Sequence, residues 1–188
     1  MFKIVHCCFF GVVGDAIVLG LWPTLAEAFN FMDPAVLCTY PLYCDGNIPL
    51  RITGIHLNTW GRSGTLPDSI GLLSNLLWLD LYNNNLTGKI PDSLGQLSNL
   101  AYLLLNTNNL SGIIPDSIGL LSNLQYLYLS SNNLSGTISN SLGQLRILRY
   151  LYLDGNNISG GIPTSLSSSV CLFVGDGSEF QFLDWQHS

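Results

Sequence analysis

The stretch LAYLLLNTNNLSGIIPDSIGLLSN, residues 100–123, decides the fold. Residues 76–99 read LLWLDLYNNNLTGKIPDSLGQLSN, and residues 124–147 read LQYLYLSSNNLSGTISNSLGQLRI. Leu76, Leu100, Leu124 and Leu148 open the same phrase at intervals of 24 residues. That phrase is L-x-x-L-x-L-x-x-N-N-L-[ST]-G-x-I-P-x-S-L-G-x-L-x-x. An earlier copy begins at Ile52, and the copy from Leu148 decays after Leu166. Repetition at this period means a coil that stacks on copies of itself. One coil cannot bury its own apolar face, so the stack is cooperative. Function falls to the residues that break the regularity.

The L-x-L piece alternates, which sends its leucines one way and the intervening residues the other. Leu79 and Leu81, Leu103 and Leu105, Leu127 and Leu129, and Leu151 and Leu153 are therefore the core-facing side of a parallel sheet. The chain must then leave the strand and turn inside the coil, where backbone groups need partners. Asn84, Asn108, Asn132 and Asn156 stand at that turn. An amide donates and accepts, so this column reads as a structural ladder rather than a ligand site. Gly88, Gly112, Gly136 and Gly160 allow a turn that a side chain would obstruct. The steps Ile90-Pro91, Ile114-Pro115 and Ile162-Pro163 fix extended segments. Ser139 replaces the proline in one copy, and that coil is expected to be looser. The S-[LI]-G-x-L stretch predicts a short helical turn back to the next strand.

Composition narrows the function classes. Only 10% of the residues are charged and the formal net charge is −6. The six basic residues are scattered, so no patch for a phosphate backbone exists and nucleic acid is not an expected partner. No histidine or cysteine pair has metal-ligand spacing, no phosphate or calcium loop is present, and no nucleophile motif accompanies His6, His56 or His187. The reading is a non-enzyme without cofactor or metal.

Residues 1–28 differ from the rest, with apolar runs from Cys7 to Val13 and Ala16 to Trp22 and a small-x-small site at Ala26-Glu27-Ala28. This reads as a secretory signal, with an uncleaved membrane anchor as the alternative; Asp15 fits neither well. Residues 29–51 form an N-terminal cap, 52–166 the repeats, and 167–188 a C-terminal cap or tail. Cys38 and Cys44 are expected to pair and staple the N-terminal cap. Cys171 is then left as a buried thiol or an intermolecular link. The aromatic tail from Phe173 to Trp185 is expected to cover the far end of the stack.

The L-[ST]-G-x-I-P core resembles the plant-type, extracellular leucine-rich repeat family. That family includes polygalacturonase-inhibiting proteins and the ectodomains of leucine-rich-repeat receptor-like kinases and receptor-like proteins. Arg51-Ile52-Thr53-Gly54-Ile55-His56-Leu57 matches the family's first strand. Cys38 and Cys44 depart from it, with five residues between them where the family has six, and the cap tryptophan and the C-terminal cysteine pair are missing. The resemblance implies an α/β leucine-rich repeat solenoid, right-handed and curved, of about five 24-residue repeats. It implies a parallel concave sheet, an irregular or 3-10 convex side, secretion to the cell wall or apoplast, and recognition without catalysis.

The solvent-facing strand positions should form columns across the concave face. The first is Gly54, Trp78, Tyr102, Tyr126, Tyr150; the second is His56, Asp80, Leu104, Tyr128, Tyr152; the third is Asn58, Tyr82, Asn106, Ser130, Asp154. Tyrosine and tryptophan are enriched at binding hot spots because they bury much area at low entropic cost. Trp78, Asp80, Tyr82, Tyr102, Leu104, Tyr126, Tyr128, Tyr150, Tyr152 and Asp154 are therefore the candidate partner-binding residues. The competing reading is that the rings only stabilise the sheet. Sequons at Asn85, Asn109, Asn133 and Asn157 make these candidate glycan acceptors. The expected function is a secreted, polygalacturonase-inhibitor-like module binding a protein or peptide. The alternatives are a short receptor-like or co-receptor-like ectodomain, N-terminally anchored at the plasma membrane if the leader is retained, and an ice-binding surface protein.

Overall fold

The computed structural model describes residues 42–44, 51–166 and 171–173. The Cys38–Cys44 pairing, the leader, the thiol of Cys171 and most of the tail fall outside what is described. Each L-x-L piece forms one strand of a seven-stranded sheet. Its members in spatial order are β1 (Leu42–Cys44), β2 (Ile52–His56), β4 (Trp78–Asp80), β6 (Tyr102–Leu104), β8 (Tyr126–Tyr128), β10 (Tyr150–Tyr152) and β12 (Cys171–Phe173). All pairs are parallel except β1 with β2. The register equals the repeat: Leu103 faces Leu127, which faces Leu151. A slip of one residue would expose every leucine, so the apolar alternation fixes the pairing.

A second, five-stranded parallel sheet lies in the later part of each coil, in the order β11 (Asn157–Ser159), β9 (Asn133–Thr137), β7 (Asn109–Ile113), β5 (Asn85–Lys89) and β3 (Ser63–Thr65). Here Gly88, Gly112, Gly136 and Gly160 have φ between +78° and +84°. A Cβ at Gly136 would sit 2.9 Å from Ile113 Cγ2 of the preceding coil, so both conformation and space require glycine.

Among the described residues four 3-10 helices carry the chain back: Asp68–Leu72, Asp92–Gln96, Asp116–Leu120 and Asn140–Gln144. Proline precedes the first three and holds an extended backbone. Ser139 precedes the fourth with φ −71° and ψ 143°, close to the −69° and 142° of Pro115. Its hydroxyl accepts from the Ser141 N–H at 3.1 Å. The expected loosening is absent, because the serine cap supplies by hydrogen bonding what the ring supplies by covalent constraint. The glycine inside each helix meets the next coil. A Cβ at Gly119 would stand 2.4 Å from the Ser141 carbonyl oxygen.

The core runs as one continuous apolar column. Leu79, Leu81, Leu103, Leu105, Leu127 and Leu129 are fully buried, joined by Leu86, Leu110 and Leu134 from the second sheet and Leu94, Ile118 and Leu142 from the helices. Burying one such side chain stabilises by about 1.5–3 kcal/mol. Each coil reaches this burial only against its neighbours, because one coil cannot enclose its own leucines.

Candidate binding face

Behind the concave strands the four asparagines make the same bonds in each coil. The Asn108 Nδ2 group donates to the Leu81 carbonyl (2.9 Å) and to the Leu105 carbonyl (3.0 Å), and its Oδ1 accepts from the Leu86 N–H (3.0 Å). Asn132 repeats this on Leu105, Leu129 and Leu110, and Asn156 on Leu129, Leu153 and Leu134. Asn84 donates to Leu57 and Leu81 and accepts from the Arg62 N–H. The position before each ladder asparagine is left-handed: Asn83, Thr107 and Ser131 have φ of 53°, 57° and 54°, and Gly155 has 63°. A left-handed threonine is strained, and the flanking bonds hold it there.

A second asparagine column went unnoticed in the sequence. Asn99 Nδ2 donates to the Ser74 carbonyl and Asn123 Nδ2 to the Ser98 carbonyl, at 2.9 and 2.8 Å. The Ser-Asn pair at the end of three successive copies was the available signal. Arg146 and Ile147 end the column in the fourth copy, and both are exposed.

With the backbone so fixed, the concave columns face their neighbours in register. Trp78 lies opposite Tyr102, then Tyr126, then Tyr150. The rings stack with centroids 3.7, 4.5 and 5.2 Å apart and planes within 14°. His56 adds a tilted ring at 5.2 Å from Trp78. In the second column Tyr128 and Tyr152 meet edge to face at 4.4 Å, and Tyr126 meets Tyr128 edge to face at 6.3 Å. Stacking along the column occupies ring faces and leaves these tyrosines half-buried, with Leu104 beside them. Tyr82 in the third column is exposed.

The two aspartates part company. Asp80 is only 7% exposed, and both its oxygens are used. Oδ2 accepts from Asn58 Nδ2 at 2.6 Å and Oδ1 from the Tyr82 N–H at 3.1 Å. Its expected place in a solvent-facing contact surface is therefore corrected: the neighbouring coil's asparagine and its own following turn enclose it. Asp154 is half-buried, with one carboxylate oxygen shielded and without a partner. Burial lowers the His56 pKa, and the Asp80 charge opposes that shift. Burial raises the Tyr128 hydroxyl, helped by the neighbouring Tyr152, Tyr126 and Tyr150 and a hydrogen bond with Tyr152.

Asn85, Asn109, Asn133 and Asn157 open the strands of the second sheet and are exposed. The next hydroxyls along, Thr87, Ser111, Ser135 and Ser159, each donate to a glycine carbonyl of the preceding coil at 3.2–3.4 Å. Among the described residues no cluster of metal-ligating side chains occurs, and no helix is long and apolar enough to cross a membrane.

The model of the leucine-rich repeat region matches residues 50–183. The chain belongs to the leucine-rich repeat family. Solved structures similar to it include ectodomains of plant receptor kinases. The leucine-rich repeat ectodomain of the receptor kinase SOBIR1 from Arabidopsis thaliana is 31% identical with a TM-score of 0.73, covering 87% of this chain and 92% of that one. The BIR2 ectodomain from the same plant is 30% identical with a TM-score of 0.69, covering 93% and 95%. The Arabidopsis HAESA ectodomain, solved with an IDA peptide hormone ligand, is 28% identical with a TM-score of 0.73; this chain covers only 30% of it. No curated protein sequence matches. The expected solenoid and the resemblance to plant extracellular repeats both hold.

Proposed function

We propose that this leucine-rich repeat protein is a non-catalytic recognition module that binds a protein or peptide through its concave aromatic face. The observation that carries the reading is the pair of ring columns, Trp78 to Tyr150 and Tyr128 to Tyr152, held in register on a rigid sheet. Cross-strand pairs contribute only about 0.2–1 kcal/mol each to a sheet, too little to account for so many adjacent rings. Trp78, Tyr82, Tyr102, Leu104, Tyr126, Tyr128, Tyr150, Tyr152 and Asp154 are the contact residues, and Asp80, in register with Leu104, is held by Asn58 and the Tyr82 N–H.

The near-complete coverage of the SOBIR1 and BIR2 ectodomains favours a short receptor-like or co-receptor-like ectodomain, in defence or signalling, over a polygalacturonase inhibitor. HAESA and PEPR1 were solved with peptides and BIR3 with SERK2, which supports a peptide or a second receptor as partner. The chain would act outside the cell, secreted or anchored by its N-terminal segment. Its outer sheet would carry glycans at Asn85, Asn109, Asn133 and Asn157, clear of the concave face. The bonded hydroxyls of Thr87, Ser111, Ser135 and Ser159 speak against a free hydroxyl array that orders ice.

The test is a double substitution, Tyr126→Ala with Tyr128→Ala. Peptides recovered by panning a random dodecamer phage library on the full chain should bind the double variant at least about tenfold more weakly, the loss of one hot spot. Equal affinity in a variant that still melts cooperatively would remove the concave face from consideration.

A further inference from the structure

The fourth coil departs from the phrase on the rim, where the chain passes from a 3-10 helix into a concave strand. Three successive copies place a Ser-Asn pair there, Ser74-Asn75, Ser98-Asn99 and Ser122-Asn123, and the next places Arg146-Ile147. The change forfeits a bond. Asn99 donates to the Ser74 carbonyl and Asn123 to the Ser98 carbonyl, but the Ile147 side chain has no donor to offer Ser122. The following rim position changes too. Leu77, Ala101, Gln125 and Arg149 are joined amide to carbonyl in one row, each bond 2.9 Å long, and the row reaches a guanidinium at Arg149. Arg146, Ile147 and Arg149 thus gather on one coil, and all three are exposed. Arg149 borders the first ring column, since its N–H and that of Tyr150 share the Gln125 carbonyl.

The positive charge here is uncompensated. Arg51 donates to Asn75, and Arg62 lies over the Trp60 ring. Among the described residues neither the Arg146 nor the Arg149 side chain has an ion pair or a hydrogen bond. They are the only charged residues between Asp116 and Asp154, in a chain whose formal net charge is −6. Between them Ile147 is 45% exposed, where the preceding coils carry an amide. A guanidinium pairs with a carboxylate through two parallel N–H bonds, and arginine is enriched where proteins dock. Two arginines three residues apart, at most about 10 Å of chain, match two carboxylates on one segment. They are too few to track a phosphate backbone. Ile147 between them calls for an apolar side chain on the partner, which a protein segment carries and a uniformly charged polysaccharide lacks.

We propose that Arg146, Ile147 and Arg149 form a second docking site, on the rim, for an acidic segment of a protein partner that carries an apolar residue between its carboxylates. The net negative charge of the chain disfavours such a segment elsewhere, so the two arginines fix where it lands. The site is separate from the concave face and stands even if that face binds nothing.

The probe is the random dodecamer phage library panned on the full chain and eluted with salt, which releases peptides held by exposed charge. The eluted peptides should carry Asp or Glu on both sides of an apolar residue. Arg146→Ser with Ile147→Asn rewrites the fourth copy as the three before it, and Arg149→Gln adds the residue found at Gln125. This triple variant should bind the peptides at least about tenfold more weakly. It should melt no lower than the parent, because Asn at 147 can donate to the Ser122 carbonyl as Asn123 does to Ser98. Tyr126→Ala/Tyr128→Ala should leave their affinity unchanged. Equal binding by the triple variant, or recovery of no acidic peptide, would overturn the site. A lower melting temperature would show that the break serves folding and would overturn it as well. Acidic peptides lost on the tyrosine variant but kept by the triple variant would move the acidic segment to the concave face. A linear polyuronate that competes as well as the peptides would show that charge alone is read, and would overturn the protein-segment assignment.

Discussion

The turn behind the concave strands and the concave strands themselves belong to the same coils, yet they use repetition in opposite ways. At the turn one residue type recurs, asparagine at 84, 108, 132 and 156, and each copy makes nearly the same bonds. On the face the residue type changes from coil to coil, through Trp78, Tyr102 and Tyr126 or through Asp80, Leu104 and Tyr128. The turn repeats because the backbone groups it must satisfy repeat. The face varies because nothing in the fold specifies it beyond a side chain that tolerates partial exposure. What distinguishes this molecule from another stack of the same phrase therefore lies on the face.

The comparison breaks if the turn proves tolerant, and the largest effect is expected there. Asn108→Ala leaves the Leu86 N–H without its acceptor and takes one donor each from the Leu81 and Leu105 carbonyls. Urea unfolding should show a loss of about 2–4 kcal/mol, the cost of stranding buried backbone groups. Next comes Gly119→Ala, whose Cβ would meet the Ser141 carbonyl 2.4 Å away on the next coil. Its expected cost is about 1–3 kcal/mol, read in the same assay, and a smaller value would mean that neighbouring coils slide. A gain should follow from Thr107→Asn, which relieves a left-handed threonine by adopting the residue found at Asn83. The rise should be about 1 kcal/mol.

The smallest effect belongs to the face. Folding favours the neutral form of His56, so below its ordinary pKa of 6.5 the unfolded chain binds more protons than the folded one. That contribution is full above about pH 6.5 and fades as the pH falls through the lowered folded value. Melting temperatures from pH 8 to pH 5 should show a shallower fall in His56→Gln than in the parent. An identical pH profile would remove burial as the cause.

The ladder and core were legible because identity of residue and identity of role coincide there. A leucine or an asparagine recurring every 24 positions has one explanation in a stacked coil. The left-handed turn was not legible, since Thr107 and Ser131 are poor residues for that conformation and only the surrounding bonds impose it. The glycine at 119 read as part of a helical turn, while its reason is the approach of another coil. Asp80 and Asp154 stand in different columns, the second and the third, and neither column announced how a carboxylate would be bonded there. Asp80 is bonded by Asn58 of the preceding coil and by the Tyr82 N–H two residues on, while one oxygen of Asp154 meets no such donor. Column register was readable, but the partner each carboxylate would find was not.

The asparagine ladder also has a direction. The Leu86 N–H is capped by Asn108 and the Leu110 N–H by Asn132, so each coil receives its acceptor from the coil that follows it in sequence. A chain emerging from its N-terminus during synthesis thus carries one incomplete coil at its growing end, and each new turn of the solenoid seals the one before.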